Sequence, residues 1–389
     1  MKYQNAKDYL DPKLFDALQQ QAGGRLLYVP TKGDKKSWGE VSGERVKLRK
    51  RNAMICREYA AGMPVAELAD KWFLSIASIR KILAAGKNQP PDHYLGIDIG
   101  GTNIKYGTVN SDGSLMAHDH IPTPKTEQEC IQVLYRILDT VCAADPYIRG
   151  IGVGIPGFLE ENNCVTAFNL PLKGTPLGDL LRQHTDLPVL LENDANCAAL
   201  GEYTAANGND DMLHITLGTG IGGGLVIGGD LYRGHRGFAG EIGHITIEQN
   251  GRPCPCGQHG CFEQYASALA LVRTAEQAIA EHPDSILAKL AQTEPHNEKL
   301  PFRAKAEGCP VAAALIDEYC RYLAIGINSL IHVLDPRNVV LAGAITAQGE
   351  ALLAPLTPYL HTDVPVTLAV HFELAGIIGA ACLCKGKDF

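Results

Sequence analysis

No stretch of this 389-residue sequence approaches 18 consecutive apolar residues, and its first 15 residues lack the apolar core of a signal peptide. These two absences predict a cytoplasmic protein with no membrane partner. The sequence also contains no low-complexity segment, and apolar residues make up 46% of it. That share excludes a mainly disordered chain, and the length is typical of two or three domains.

Basic residues outnumber acidic ones in the first 90 residues, and the reverse holds in the rest of the chain. Residues 1–90 hold 17 Lys and Arg against 9 Asp and Glu, a net charge of +8, whereas the other 299 residues carry −16. This asymmetry predicts a basic module that meets a polyanion, followed by an acidic module with another task. The polar segment GKNQPPDH at 86–93 separates them, because its Pro-Pro pair breaks a helix and stiffens a linker. We therefore predict a helical domain at 1–88, a linker at 89–93 and an α/β domain at 94–389.

The basic module has the pattern of a helix-turn-helix. Its segment ERVKLRKR at 44–51 leads into a helix that Gly62 ends, and apolar residues then recur at helical spacing. A break at 73–75, with Ser75 as N-cap, divides this last stretch into two helices. The second helix would enter a major groove while flanking cations neutralise phosphates. The candidate DNA contacts are Lys47, Arg49, Lys50, Arg51, Ser78, Arg80 and Lys81.

A compact three-helix docking domain with a solvated basic face would show the same spacing. The opening MKYQNAKDYLDPKLFDALQQQ, the later WGE and the segment ELADKWFLSIASIRKIL resemble small Mor-activator-like transcription factors. That resemblance covers residues 1–85 and favours operator DNA as a partner.

Beyond the linker, apolar stretches of strand length alternate with amphipathic stretches of helix length, which is typical of an α/β fold. The predicted strands are 94–99, 104–109, 148–155, 187–191, 212–217, 223–228 and 337–342, and the predicted helices are 126–143, 195–206, 264–281 and 311–334.

Two glycine-rich turns follow strands, DIGGTN at 98–103 and LGTGIGGG at 217–224. Glycine lets the backbone turn sharply and bring its N–H groups to an anion, although a lone DxGGT could be only a hairpin turn. Two such loops in two lobes are typical of the nucleotide clamp of the actin/hexokinase/Hsp70 superfamily. Neither loop is a P-loop, and the dinucleotide fingerprint is absent after the first strand. We expect ATP and its phosphates to contact Asp98 (through Mg²⁺ and water), Gly100, Gly101, Thr102, Asn103, Lys105, Gly218, Thr219, Gly220, Gly222 and Gly343.

Asp194 lies in the segment ENDAN, where a predicted strand passes into a helix. Phosphoryl transfer to a sugar needs one carboxylate that accepts the hydroxyl proton. Asp194 suits that role, with Asn193 orienting the hydroxyl. The alternative is that Asp194 only caps the helix.

Three cysteines, Cys254, Cys256 and Cys261, stand within eight residues, and His244 precedes them by ten. A Cys₃His set suits tetrahedral Zn²⁺, and four protein ligands make a closed, structural site. His259 is a rival fourth ligand, but it lies inside the thiolate loop and would strain it. Zinc would fix the loop that carries two carboxylates, and these could accept hydrogen bonds from sugar hydroxyls. His244 would bind zinc through one ring nitrogen and turn the other toward the sugar. Those carboxylates are Glu241 and Glu263.

The segments DIGGT, GIPG (154–157), ENDAN, LGTGIGGG, AGEIGH and CPCGQHGCFE together resemble the ROK family of repressors, open reading frames and kinases, from residue 94 to 384. The resemblance implies a two-lobed ribonuclease-H-like fold, a homodimer, ATP with Mg²⁺, structural zinc and a hexose in the cleft. Asp194 would be the proton acceptor, and zinc would bind His244, Cys254, Cys256 and Cys261. The sugar would contact Asn169, Asn193, Asp194, Glu241, His244 and Glu263.

The expected activity is ATP-dependent phosphorylation of a hexose, with glucose as the first candidate. The alternatives are a sugar-responsive transcriptional regulator with little kinase activity, and a kinase of N-acetylmannosamine or another hexose. The chain departs from the family's repressors because its N-terminal helix-turn-helix differs from their winged helix and because both phosphate loops and the aspartate are retained. The segment LAGAI at 341–345 has less glycine than many of the kinases.

Overall fold

The computed structural model describes residues 48, 51–52, 54–56, 58–59, 62–86, 91–159, 164–167, 170–205 and 211–387. Four of the predicted contact residues lie outside these ranges: Lys47, Arg49, Lys50 and Asn169. The chain divides into two compact units, Met1–Gln89 and Pro90–Phe389. Within the described ranges, no helix has the length and apolar composition that crossing a bilayer would require.

In the described part of the first unit, helices are the regular secondary structure, joined by short turns. Helical residues between 48 and 59 precede helices α1 (Val65–Lys71) and α2 (Ile76–Gly86). The predicted break is confirmed, because Phe73 has a φ of 52° and the Ser75 hydroxyl accepts the N–H of Ser78 at 3.1 Å as an N-cap. Among the described residues of this unit, the buried core consists of Ile55, Leu68, Ala69 and Ile79.

The second unit begins with a five-stranded sheet in the order β3-β2-β1-β4-β8. The first three strands are antiparallel, whereas β4 and β8 run parallel to β1. A small sheet of β5, β6 and β7 adjoins it. The strands are β1 His93–Ile99, β2 Asn103–Asn110, β3 Leu115–Pro122, β4 Ile148–Ile155, β5 Phe158–Leu159, β6 Val165–Ala167, β7 Leu172–Thr175 and β8 Val189–Asn193, with helices α3 Glu127–Ala144 and α4 Leu177–His184.

A second five-stranded sheet repeats this arrangement. Its order is β11-β10-β9-β12-β13, and the same pairs are antiparallel and parallel. The two predicted lobes are therefore built on one plan. The strands are β9 Met212–Leu217, β10 Ile221–Ile227, β11 Asp230–Leu231, β12 Asn338–Ala342 and β13 Val366–Leu368.

Helix α5 (Asp194–Ala205) follows β8 directly, and the remaining helices belong mostly to the second lobe. The longest of them spans 25 residues and supplies much of that lobe's core. These helices are α6 Glu263–Ala266, α7 Ala268–Glu281, α8 Ile286–Leu290, α9 Leu300–Ala306, α10 Pro310–Leu334, α11 Glu350–Leu356 and α12 Ala375–Cys382. All predicted strands and helices of the α/β domain are present with bounds within two residues, except that Ser267 divides the helix predicted at 264–281.

Helices α5 and α12 pack between the two sheets at very short range. A Cβ at Gly379 would overlap the carbonyl oxygen of Cys197, and one at Gly152 would overlap that of Ala380. On the other side, a Cβ at Gly224 of β10 would collide with the side chain of Ala199. The stack therefore runs from the first sheet through α12 and α5 to the second sheet. It brings the N-terminal end of α5 against the strand β10 of the second lobe.

Candidate active site

The two predicted phosphate loops are the tips of equivalent hairpins. In the first lobe, the N–H of Gly100 donates to the carbonyl of Asn103 at 2.9 Å and closes the turn between β1 and β2. In the second, the N–H of Gly218 donates to the carbonyl of Gly220 at 3.0 Å between β9 and β10. The tip residues Gly101, Thr102 and Thr219 are exposed. Neither turn is therefore filled by its own side chains.

Several glycines of the second loop are needed for packing. A Cβ at Gly223 would lie 2.6 Å from the carbonyl oxygen of Gly240, and one at Gly222 would lie 3.2 Å from the Cβ of Ala195. Gly343 has a φ of 103° and abuts the end of β9. Gly218, in contrast, has open space around it. Close packing is therefore a sufficient reason for glycine at 223 and 343, without any phosphate contact.

Asp194 is the first residue of α5, but it is not the residue that caps the helix. The side-chain oxygen of Asn193 accepts the N–H groups of Ala195 at 3.0 Å and Asn196 at 3.3 Å. One oxygen of Asp194 accepts the N–H of Ala195 at 2.9 Å, and the other has no partner among the described residues. Burial raises the pKa of Asp194 above its usual range. Asp194 thus presents one unengaged carboxylate oxygen.

Asp98, at the end of β1, lies close enough to Asp194 for the two charges to interact. Burial and the negative charge of Asp194 together raise the pKa of Asp98 to about 6, and Lys105 opposes this shift. Lys105 was predicted to reach a phosphate. Its ammonium group lies 3.1 Å from the exposed carboxylate of Glu373, so it would have to leave that ion pair to bind one.

A cavity of about 250 Å³ lies beside Asp194. It brings together four predicted site residues, Asn193, Asp194 and Glu241 with Gly222 of β10. The lining also includes charged and aromatic residues that the sequence analysis does not predict, among them Glu192, Arg233, Arg236 and Phe238. Two signals in the sequence could have revealed them, a charged residue inside the apolar strand LPVLLEN and two arginines in the glycine-rich segment YRGHRGFAG.

The cysteine cluster predicted from spacing is assembled in the fold. One ligand atom from each of His244, Cys254, Cys256 and Cys261 lies within 4.8 Å of all the others. The Cys254 sulfur is 3.6 Å from Nδ1 of His244, and the sulfurs of Cys256 and Cys261 are also 3.6 Å apart. Tetrahedral zinc with bonds of about 2.0–2.3 Å places its ligand atoms about 3.5–3.8 Å apart. The donor types suit a zinc ion, and these two separations match those of a tetrahedral site.

Glu263 connects the cysteine loop to the second hairpin. Its Oε1 accepts the thiol of Cys254 at 3.2 Å, and its Oε2 would lie 2.6 Å from a Cβ at Gly220. His244 turns Nδ1 toward the cysteines, and its Nε2 lies 3.9 Å from Oε2 of Glu241. His244 and Glu263 do not line the 250 Å³ cavity, and Asn169 lies outside the described residues.

These features define a two-lobed α/β fold of the ribonuclease-H-like type, with paired hairpins and a carboxylate beside the cavity. The model of the ROK family matches residues 94–387. The chain therefore belongs to the ROK family.

Individual relatives share most of this region. A glucokinase of Halalkalibacterium halodurans is 35% identical over 317 residues, which cover 76% of this chain and 96% of the relative. The solved structure of a ROK family glucokinase from Streptomyces griseus, in complex with glucose and AMPPNP, is 34% identical with a TM-score of 0.64 and covers 75% of this chain and 98% of that one. A putative xylose repressor of Caldicellulosiruptor sp. is 30% identical over 74% of this chain and 75% of the relative.

The raised pKa of Asp98 predicts a pH-dependent stability. The folded protein binds this proton more tightly than an unfolded chain, whose carboxyl titrates near 3.8, so stability falls as pH rises from about 4 to about 6. At pH 7 the buried charge costs at most about 3 kcal/mol. Asp98→Asn should therefore raise the free energy of unfolding at pH 7 and change it little near pH 4, as measured by urea unfolding without added Mg²⁺.

Asp112→Asn is the matched control, because hydrogen bonds from Ser114 lower the pKa of the exposed Asp112 and the pH trend should reverse. An equal effect of Asp98→Asn at both pH values would contradict the prediction.

Proposed function

We propose that this protein is an ATP-dependent hexose kinase that transfers the γ-phosphoryl group of ATP to a sugar hydroxyl, with glucose as the first substrate to test. The observation that carries the proposal is the carboxylate of Asp194, which has one unengaged oxygen and lines a cavity large enough for a monosaccharide. The glucokinase relatives support glucose. A kinase of N-acetylmannosamine or another hexose is the alternative that a sugar panel distinguishes.

In this mechanism Asp194 accepts the hydroxyl proton as the sugar oxygen attacks the phosphorus atom. Burial raises the pKa of Asp194, which makes the carboxylate a stronger base. Backbone N–H groups of the hairpin tips at 100–103 and 218–220 would bind the ATP phosphates. Asp98 would hold Mg²⁺ through water, and that ion would neutralise charge on the transferring phosphoryl group. The side-chain amide of Asn193 and the carboxylate of Glu241 line the cavity and would orient the hexose.

Replacing the base tests this mechanism directly. Asp194→Asn keeps the size of the side chain but cannot accept the proton, so kcat should fall by about 10²–10⁴-fold. The measurement is ADP release by the full chain with a panel of hexoses and Mg²⁺. Asp284→Asn, at an exposed position remote in sequence from the site, should leave kcat unchanged. Lack of turnover by the wild type with every sugar, or near-normal turnover by Asp194→Asn, would refute the proposal.

We propose that His244, Cys254, Cys256 and Cys261 bind one structural zinc ion. The ion would supply no reaction chemistry, because four protein ligands leave no position for water. Its role would be to fix the loop that joins Glu241 to Glu263. The donor types of the four ligand residues and the short distances between their ligand atoms support this proposal.

The purified wild type should then contain about one zinc per chain by elemental analysis. Cys256→Ser should lose most of this zinc and unfold at a lower temperature. Cys142→Ser is the control, since Cys142 is a half-buried cysteine that is not part of the cluster, and it should keep its zinc. Zinc-free wild type, or unchanged zinc in Cys256→Ser, would exclude the site.

We further propose that the domain of residues 1–88 binds operator DNA, so that kinase and DNA-binding activities share one chain. Arg80 and Lys81 are exposed on α2, whose N-terminus Ser75 caps. The Ser78 hydroxyl is 2.9 Å from that of Ser75, and the guanidinium of Arg51 donates to Asn52, so both would have to release these contacts to reach DNA. A homodimer and a cytoplasmic location remain predictions from the family resemblance and the sequence.

Binding to a duplex selected from a random-sequence library tests this second activity. Arg80→Ala and Lys81→Ala should each weaken binding and lower the slope of log affinity against log salt by about 0.9 if the cation contacts a phosphate. Lys289→Ala, in the second unit, should change neither. Salt-independent binding, or equal affinity after removal of residues 1–88, would contradict the proposal.

A further inference from the structure

Glu192, near the end of β8, is a buried carboxylate that takes no part in the proposed mechanism. It is 5% exposed, and a charge so buried is costly unless it is paired and hydrogen-bonded. Its Oε1 accepts the backbone N–H of Asn193 at 3.0 Å and the side-chain amide of Asn196 at 2.9 Å. Its Oε2 accepts Nε–H of Arg233. Both oxygens are thus engaged, one of them by a cation.

The two asparagines that bind Glu192 stand on either side of Asp194. Asn193 precedes it and caps α5 by accepting the N–H groups of Ala195 and Asn196. Asn196 follows it by two residues in the first turn of the helix. One oxygen of Glu192 thus binds the backbone just before Asp194 and a side chain in the helical turn just after it. A shift of Glu192 would move the carboxylate of Asp194 with it.

Arg233 comes from the opposite lobe. It follows β11 of the second sheet and lies near the start of the arginine loop, which comprises residues 232–240. The N–H of Ala239 donates to the carbonyl of Arg233 at 3.1 Å and closes this loop at its base. Gly234, Gly237 and Gly240 have positive φ, which gives the loop its tight path. Because β8 belongs to the first sheet, the Glu192–Arg233 pair joins the two lobes at the cavity that both residues line.

From this arrangement we infer that Glu192 and Arg233 are positioning residues that fix the Asp194 carboxylate relative to the second lobe. The inference rests on the proposed kinase function. The second lobe carries the hairpin at 218–220, which is proposed to hold ATP phosphates, whereas Asp194 extends from the first sheet. Proton acceptance and phosphoryl transfer must coincide at one sugar oxygen, and a displacement of about 1 Å can cost about 10²-fold in rate. The Glu192–Arg233 ion pair links the two lobes, and so helps to keep Asp194 aligned with the hairpin at 218–220.

Kinetics of full-chain variants test this role. Glu192→Gln and Arg233→Met keep side-chain volume but remove the ion pair, so kcat should fall roughly 10- to 100-fold while the KM for the hexose changes less than about threefold. Arg233→Lys should restore much of kcat, because a cation is again available to Oε2. The double variant should be about as active as the worse single variant, since the pair acts as one unit.

A matched control uses the exposed Arg303–Glu307 pair on the surface of the second lobe, at 2.9 Å. Arg303→Met and Glu307→Gln should leave kcat and KM unchanged. Losses of kcat that Arg233→Lys does not restore, or a rise in KM with unchanged kcat, would overturn the positioning role.

Amide hydrogen exchange on the free protein provides a test that needs no turnover. Loss of the pair should speed exchange at the amides of 193–196 and at Ala239, and leave α10 protected. Unchanged exchange there would overturn the inference even if the wild type were inactive. An inactive wild type with the expected exchange would refute only the proposed kinase function, and an active wild type with equally active variants would refute only this inference.

Discussion

The close packing of α5 and α12 between the two sheets is the constraint on which the rest of the site depends. Glycines at 152, 224 and 379 permit it, because a Cβ at any of them would overlap a neighbouring backbone or side-chain atom. This packing fixes the N-terminus of α5, and so the position of Asp194, against β10 in the second lobe. An interior packed at this density transmits small displacements instead of absorbing them. The location of the proposed base is therefore a consequence of helix packing.

Asp98 and Asp194 are buried carboxylates with few positive charges beside them to offset the cost of burial. Asp98 and Asp194 both have pKa values raised by burial, and the charge of Asp194 adds to the shift of Asp98. Lys105 opposes the shift of Asp98 and Arg233 lines the cavity with Asp194, but each already binds a carboxylate, Glu373 or Glu192. A site with this surplus of negative charge would favour a divalent cation. That charge balance agrees with the proposed Mg²⁺ beside Asp98.

The sequence predicts the parts of the fold that carry strong periodicity and leaves out those that do not. Strands such as β1 and β9 are buried apolar runs, and α10 has a sustained helical pattern, so the sequence predicts their bounds closely. The edge strand β3, LMAHDHIP, is largely exposed, and α12 is apolar on all sides, so neither shows alternation or an amphipathic face. Asp194 and the cysteine cluster were identifiable from local motifs. The pairing of Glu192 with Arg233 was not, because the residues are 41 positions apart and meet only when the lobes assemble.

Glu263 shows how the proposed metal site and the proposed phosphate site depend on each other. One of its oxygens binds Cys254, and the other lies against Gly220 of the second hairpin, where a Cβ would collide with it. Zinc at Cys254 would bind the thiolate, so the thiol hydrogen bond that Glu263 now accepts would be lost. Oε1 of Glu263 would then keep the side-chain amide of Gln264, at 3.0 Å, and gain a free acceptor site. A zinc ion bound at the proposed site would thereby leave an acceptor site open on a carboxylate next to the hairpin.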